Sequence, residues 1–396
     1  MKNSRRSFYL PFTLGHFAND LGPCSVVVLA PSIALEMGLK PMEVGLLLTL
    51  HTLGSALGFF PAGLLADSAR NRGNLLMLTF WWVGLGYLLA SWAQGFWSLA
   101  ILFALAGCGD AAWHPLATAI LVKSDPQNRG QALGFHAVGG TLSAVIGPVI
   151  AGIMLASMDW RETLHWIILP TLIVGVLFLK IRKLVPEQSH RKVISKEKFQ
   201  HLWKSWTKKN GLLIICLMSS YHMSLVALIS MIPLYLREFH ELSSAKTGLA
   251  FGMMILSGAF MQPLMGRLSD RVGRRRVIVF GIATSAVCAF FIPFLESLGL
   301  LLMIIIFLLV GVGLLEGIRS SLLAAAVEYT GGREGTTLGF AYTLMDGIGA
   351  FGALIAGWAA GIQFSHVFVL AGIICTFSLI FCFSVSLSSD NVTHTA

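Results

Sequence analysis

Gly63-Leu64-Leu65-Ala66-Asp67-Ser68-Ala69-Arg70-Asn71-Arg72-Gly73 returns, about two hundred residues later, as Gly266-Arg267-Leu268-Ser269-Asp270-Arg271-Val272-Gly273-Arg274-Arg275-Arg276. Each copy closes one apolar run and precedes another, so the phrase reads as a tight, cation-rich turn between two membrane helices. A repeat at this period is too long for a solenoid unit and divides the chain into two related halves.

The composition agrees with a membrane setting. Of 396 residues, 56% are hydrophobic and 12% charged, far from the roughly 25% charged of a soluble domain. A spanning helix needs about 20 mostly apolar residues, and twelve such stretches lie near 9–35, 42–66, 74–93, 97–122, 130–156, 163–183, 210–236, 244–268, 277–296, 298–327, 335–361 and 364–387. The expected fold is all-α and integral to the membrane, with twelve transmembrane helices in two pseudo-symmetric six-helix halves. Residues 1–183 form the N-terminal half, 184–209 a linker and 210–396 the C-terminal half. Phe199, Trp203 and Trp206 stand among lysines in the linker at a spacing that suits an amphipathic helix on the membrane surface. A plain solvated linker is the other reading.

The net charge of +9 reports topology. When the cations are placed on the span map, 23 of the 28 Lys and Arg fall on one side, so both termini and the linker are expected in the cytoplasm. No nucleic-acid partner is expected. All six cysteines fall inside spans with no pair at metal-ligand spacing, which indicates neither a disulfide framework nor a thiolate zinc site. The first apolar run is too long for a signal peptide and carries His16, Asn19 and Asp20, so it reads as a retained helix.

The repeat extends beyond the turn. A shift of 204 places Gly107 and Gly109 over Gly311 and Gly313, and one residue more pairs Gly147 with Gly352 and Gly152 with Gly357. Small residues at matching positions imply matching close helix contacts.

Two six-span halves, a central loop and this repeated turn resemble the major facilitator superfamily over essentially the whole chain. The resemblance implies a secondary transporter working by alternating access, in which the turn motif locks the halves on the cytoplasmic side. By position the latch comprises Gly63, Asp67, Arg70, Arg72 and Gly73, with Gly266, Asp270, Arg271 and Arg274. Ser68 and Asn71 depart from the basic residues common there. Gly15-His16-Phe17-Ala18-Asn19-Asp20 and Trp113-His114-Pro115 are similar to signatures of the fosmidomycin-resistance branch, which contains proton-coupled efflux pumps. Gly139, Gly140, Gly147, Pro148 and Gly152 are similar to a glycine-proline pattern of antiporters, and imply a close helix contact. Ordinary membrane-helix packing is the plainer reading.

A charge at mid-bilayer costs on the order of 2.5–3.5 kcal/mol on insertion scales, so it normally lines a cavity or has a partner. His16, Asn19 and Asp20 share one helix face at i, i+3 and i+4, and Asp110 and His114 share another. Asp20, Asp110, His114 and His16 are the candidates for proton coupling, because the protonation of a carboxylate in a low-dielectric site is tied to hydration and neighbours. Asn19, His51, His136, Tyr221, His222, Gln262, Glu316, Arg319, Tyr342 and Asp346 are the candidates for substrate binding. Arg319 offers a planar fork for a carboxylate, phosphonate or phosphate, unless Glu316 or Asp346 neutralises it.

With the resemblance, these residues lead to the expectation of proton-driven export of a small organic or drug-like molecule, with Arg319 tilting the choice toward one bearing an anionic group. They serve equally in a symporter importing a nutrient such as an organic acid, a siderophore-like chelate or a peptide fragment. A third reading gives His16, Asp20, Asp110, His114 and His136 to a transition-metal path, and a fourth is a sensor without flux. No dedicated metal site or cofactor is expected, only a proton gradient. There is no phosphate-cradling loop, HExxH or nucleophile-base set, so the chain is not expected to be an enzyme. The expected setting is the inner or plasma membrane, with lipid, protons and one small substrate as partners, and a monomeric state.

Overall fold

The computed structural model describes residues 2–125, 127–185, 187, 200, 203–330 and 334–387. Among them the regular structure is entirely helical. The first six helices are α1 (Lys2–Met37), α2 (Pro41–Ser68), α3 (Arg72–Ala90), α4 (Phe96–Ser124), α5 (Arg129–Met154) and α6 (Trp160–Ile181). The second set is α7 (Lys209–Leu234), α8 (Ser244–Val272), α9 (Arg274–Ser297), α10 (Leu301–Thr330), α11 (Glu334–Gly349), α12 (Phe351–Ile362) and α13 (Phe364–Ser384). Twelve spans are long and apolar enough to cross a bilayer, with Gly339–Ile362, across α11 and α12, forming the eleventh. The protein is a multi-pass membrane protein.

The helices persist through internal prolines, three of them in α1 and one each in α2, α4, α5 and α6. In a bilayer, neighbouring helices and local adjustment satisfy the backbone groups that proline frees. Breaks come where the chain supplies a cap. Asn71 accepts from the backbone N–H of Asn74 at 3.1 Å and starts α3; Asp159 accepts from Glu162 at 2.8 Å and starts α6. Between α8 and α9 a single residue turns the chain, Gly273 at φ +97°, a backbone state that side chains with a Cβ rarely adopt.

The chain forms two compact units. The first takes the described residues of Met1–Met37, Leu50–Ile194 and Ser243–Gly252; the second takes Gly38–Thr49, Ser195–Leu242 and Met253–Ala396. In the first, α1 packs on α4, α5 and α6, while α3 packs on α4 and α6. In the second, α7 packs on α11, α12 and α13, while α9 packs on α10 and α13. The pairing pattern is the same, shifted by one half. Each unit also holds the start of a helix that mostly belongs to the other. Thr49 of α2 donates to the Ala350 carbonyl at 3.0 Å within the second unit, and Gly248 of α8 lies against Gly152 Cα within the first, where a Cβ would stand 2.9 Å away.

Aromatic packing holds the first unit beneath its polar cluster. Phe80 lies 4.8 Å from the Trp113 ring and 4.6 Å from Phe178, centre to centre. All three are buried, and rings of this size dominate core contacts. Outward-facing Leu57, Leu85, Trp97, Ile101 and Phe294 are exposed, as lipid-facing residues should be.

One expectation needs correction. Trp206 does not face the membrane surface: it is 1% exposed and packs on Tyr329 and Phe340 at ring distances of 5.9 and 5.8 Å. Helix protein lies on that face, so its apolar ring is satisfied there. Trp203 is the exposed one, and Phe199 lies outside the described residues.

Candidate functional site

The first unit gathers six of the predicted residues into one cluster. Asn19 is fully buried and its amide donates to Asp110 Oδ1 at 2.6 Å and to Asp20 Oδ1 at 3.1 Å. A single side chain thus bridges two carboxylates from α1 and α4. On the other side of Asp20, His16 Nε2 lies 3.1 Å from Oδ2 and His114 Nε2 lies 4.0 Å from Oδ1. The His16 ring stacks on His136 at 4.0 Å and meets His114 edge-on at 5.1 Å. His16 Nδ1 is 2.7 Å from the His136 carbonyl and donates to it when protonated there.

Glycine makes this closeness available. A Cβ on Gly140 would stand 2.5 Å from His16 Cε1, and one on Gly139 would stand 3.0 Å from His16 Cβ and run into the Thr13 carbonyl. Further along α5, a Cβ on Gly147 would stand 3.0 Å from Ser25 Oγ. Gly139 and Gly140 therefore form the floor on which His16 rests. Gly152 and the carbonyl of Pro148 face Gly248 instead, so the glycine-proline pattern serves two separate contacts.

Asn19 and His136 thus stand with the proton-coupling candidates. His51 stands apart from them: its Nε2 lies 2.7 Å from Tyr87 Oη, with the Phe103 ring 6.0 Å away.

The second unit holds a different set. Asp346 Oδ1 is 3.7 Å from Arg319 Nη2 and 3.5 Å from His222 Nδ1. The Arg319 guanidinium lies 5.5 Å from the centre of the Tyr342 ring, within cation–π range. Glu316 packs against α8, where a Cβ on Gly258 would stand 2.4 Å from the Glu316 Cβ. Tyr221 is fully buried, and its hydroxyl has no hydrogen-bond partner among the described residues. Asp346 is therefore a partner of Arg319 here, and Glu316 is engaged by α8.

The repeated turns carry ion pairs, each within its own unit. In the first copy Asp67 lies 3.5 Å from Lys123 and Arg70 lies 3.0 Å from Glu187. In the second, Arg274 lies 2.5 Å from Asp270 and 3.0 Å from Glu328. Arg72 is buried at 5% exposure, Gly73 sits against the Arg182 carbonyl, and Arg271 is exposed. Lys123, counted in the sequence only as one of the cations on one side, and Glu328 were not foreseen as partners of the turns. The signal was present, since the two positions are 205 residues apart, the shift that aligns the halves, but their opposite charges disguised the equivalence.

Comparison with known proteins agrees with this architecture. The chain is 25% identical over 354 residues to the fosmidomycin resistance protein of Escherichia coli (strain K12), covering 88% of this chain and 85% of that one. It is 29% identical over 371 residues to a probable 4-methylmuconolactone transporter of Cupriavidus pinatubonensis (strain JMP 134 / LMG 1197), covering 89% and 82%. Among solved structures, a bacterial homologue of the human lysosomal transporter Spinster, inward-facing and unoccupied, superposes with a TM-score of 0.78 at 16% identity, covering 97% of each chain. The profile of the Major Facilitator Superfamily matches residues 12–260 and 220–394; with its twelve spans and repeated turn, the chain belongs to that superfamily and is a membrane transporter, not an enzyme.

Proposed function

We propose that this transporter is a proton-coupled antiporter that exports a small organic molecule bearing an anionic group. The observation that carries the reading is the Asn19 bridge between Asp20 and Asp110, with His16 and His114 against the same carboxylate. Four titratable groups within reach of one another give a proton several resting places. Moving it requires only small changes in distance, which is what a cycle coupled to conformational change needs. Among the described residues no Lys or Arg pairs with these carboxylates; such a fixed charge would hold them ionised throughout.

Arg319 supplies the complementary half of the reading. Its contact with Asp346 at 3.7 Å is longer than a tight charge-assisted hydrogen bond, so a substrate carboxylate or phosphonate can compete for the guanidinium. The resistance protein among the relatives supports export over import. We place the protein in the inner or plasma membrane with both termini cytoplasmic, as a monomer, driven by the proton gradient without a cofactor.

Inverted membrane vesicles test direction and coupling together. With fosmidomycin, chosen for its phosphonate, as the probe, an imposed inside-acidic gradient is expected to drive accumulation, and an uncoupler to abolish it. Accumulation in right-side-out cells that collapses with the uncoupler would instead make the protein an importer. Flux indifferent to the gradient would remove the coupling claim.

A further inference from the structure

We propose that His16, His114 and His136, with Asp20 beside them, form a binding site for a divalent transition-metal ion of the zinc, cobalt or nickel type, and that the bound ion inhibits transport. One nitrogen from each histidine lies within 4.8 Å of the others, and Asp20, Asp110 and His114 form a second such set. His114 is common to both. A tetrahedral zinc ion with nitrogens at about 2.0–2.1 Å needs donors roughly 3.4 Å apart, so side-chain movements on the order of 1 Å would close the site.

Two details of the cluster suit a ligand rather than packing alone. With its Nδ1 proton given to the His136 carbonyl at 2.7 Å, His16 directs Nε2 into the cluster, 3.1 Å from Asp20 Oδ2; a metal ion displacing the Nε2 proton would find the second-sphere arrangement that sets the tautomer of a ligating imidazole. His136 is 4% exposed and its Nδ1 has no hydrogen-bond partner among the described residues. A buried polar atom left unpaired costs about 1–3 kcal/mol, and a metal ion would relieve it. Imidazoles with a carboxylate favour transition metals over magnesium or calcium, which prefer all-oxygen sites. The ion would take the lone pairs that proton coupling requires, which is why its binding should inhibit.

The test uses the purified full chain, without a polyhistidine tag, in lipid nanodiscs with neither substrate nor gradient. Zn²⁺ is titrated by calorimetry and Co²⁺ by visible absorption; Trp113, whose ring lies 6.1 Å from His136, adds a fluorescence readout for quenching by Ni²⁺. One saturable equivalent is expected, weakened about tenfold or more by His114→Gln or His136→Gln and unchanged by His366→Gln. His136→Cys keeps a metal ligand and should retain Co²⁺ binding with a thiolate-shifted spectrum, which separates lost ligation from lost folding. Absence of saturable binding, or binding indifferent to His114 and His136, would overturn the site. Zn²⁺ that saturates the site without slowing transport would overturn the inhibitory role. Because binding is read without flux, it can succeed or fail independently of the proton-coupling reading.

Discussion

The two units share a helix-pairing pattern and differ in the charge they bury. In the first, the Asn19 amide bridges Asp20 and Asp110 while His16 and His114 approach Asp20, with no Lys or Arg paired to them among the described residues. In the second, Arg319 stands with Asp346 and His222. Under shifts of 204 and 205, Asp20 falls over Ser224 or Leu225, and Arg319 falls over Pro115 or His114. The two units thus pair their helices alike, while the second adds a permanent cation, Arg319, to its histidine and carboxylate. On the proposed function, such a division would let a proton-holding charge and a substrate-attracting charge be altered separately.

The largest effect should come from Asp20→Asn or Asp110→Asn. Each removes a proton-holding group while leaving an amide that can still hydrogen-bond, and gradient-driven flux in proteoliposomes is expected to fall by about a hundredfold or more, on the scale of a lost acid-base group. Substrate exchange without a gradient should persist. Coupled flux at the parental rate in both variants would break the division between the units.

Arg319→Gln should come next, and on a different parameter. Loss of a desolvated charge partner costs roughly 2 kcal/mol or more of binding, so affinity for an anionic substrate should drop at least about thirtyfold. Arg319→Lys sharpens the point, since it keeps the charge and loses the planar fork. An unchanged KM for both variants would remove Arg319 from the substrate site.

Gly140→Ala probes the scaffold under the first cluster and should have the smallest effect. The added methyl would meet the His16 ring at 2.5 Å, an overpacking expected to cost about 1–3 kcal/mol. Thermal unfolding in detergent should show a lower melting temperature than for Gly134→Ala, where a Cβ meets nothing within 4 Å. Equal melting temperatures would mean that the cradle yields freely.

Composition and periodicity made the spans legible, because a bilayer imposes a length of apolar helix that no soluble fold needs. Helical spacing likewise placed His16 with Asp20, and Asp110 with His114, on shared faces. It left their partners undetermined. Nothing in the spacing within α1 shows that Asn19 reaches Asp110 across to α4, or that His136 stacks on His16 from α5. Those contacts depend on the rotation of each helix about its axis, set by packing at residues such as Gly139 and Gly140. Trp206 fails for a related reason: an amphipathic pattern reads alike whether the covering surface is lipid or Tyr329 and Phe340.

The turns leave a trace of how the copies parted. One balances Asp67 with Lys123; the other sets Glu328 beside Arg274, which also meets Asp270. A lysine at position 328 would have faced the Arg274 cation. Arg274 and an acidic residue at the end of α10 therefore favour one another, and moving either turn onto the other half would require moving the distant helix end that answers it as well. The repeated phrase now reads as two dialects, each answered by a charge of its own half.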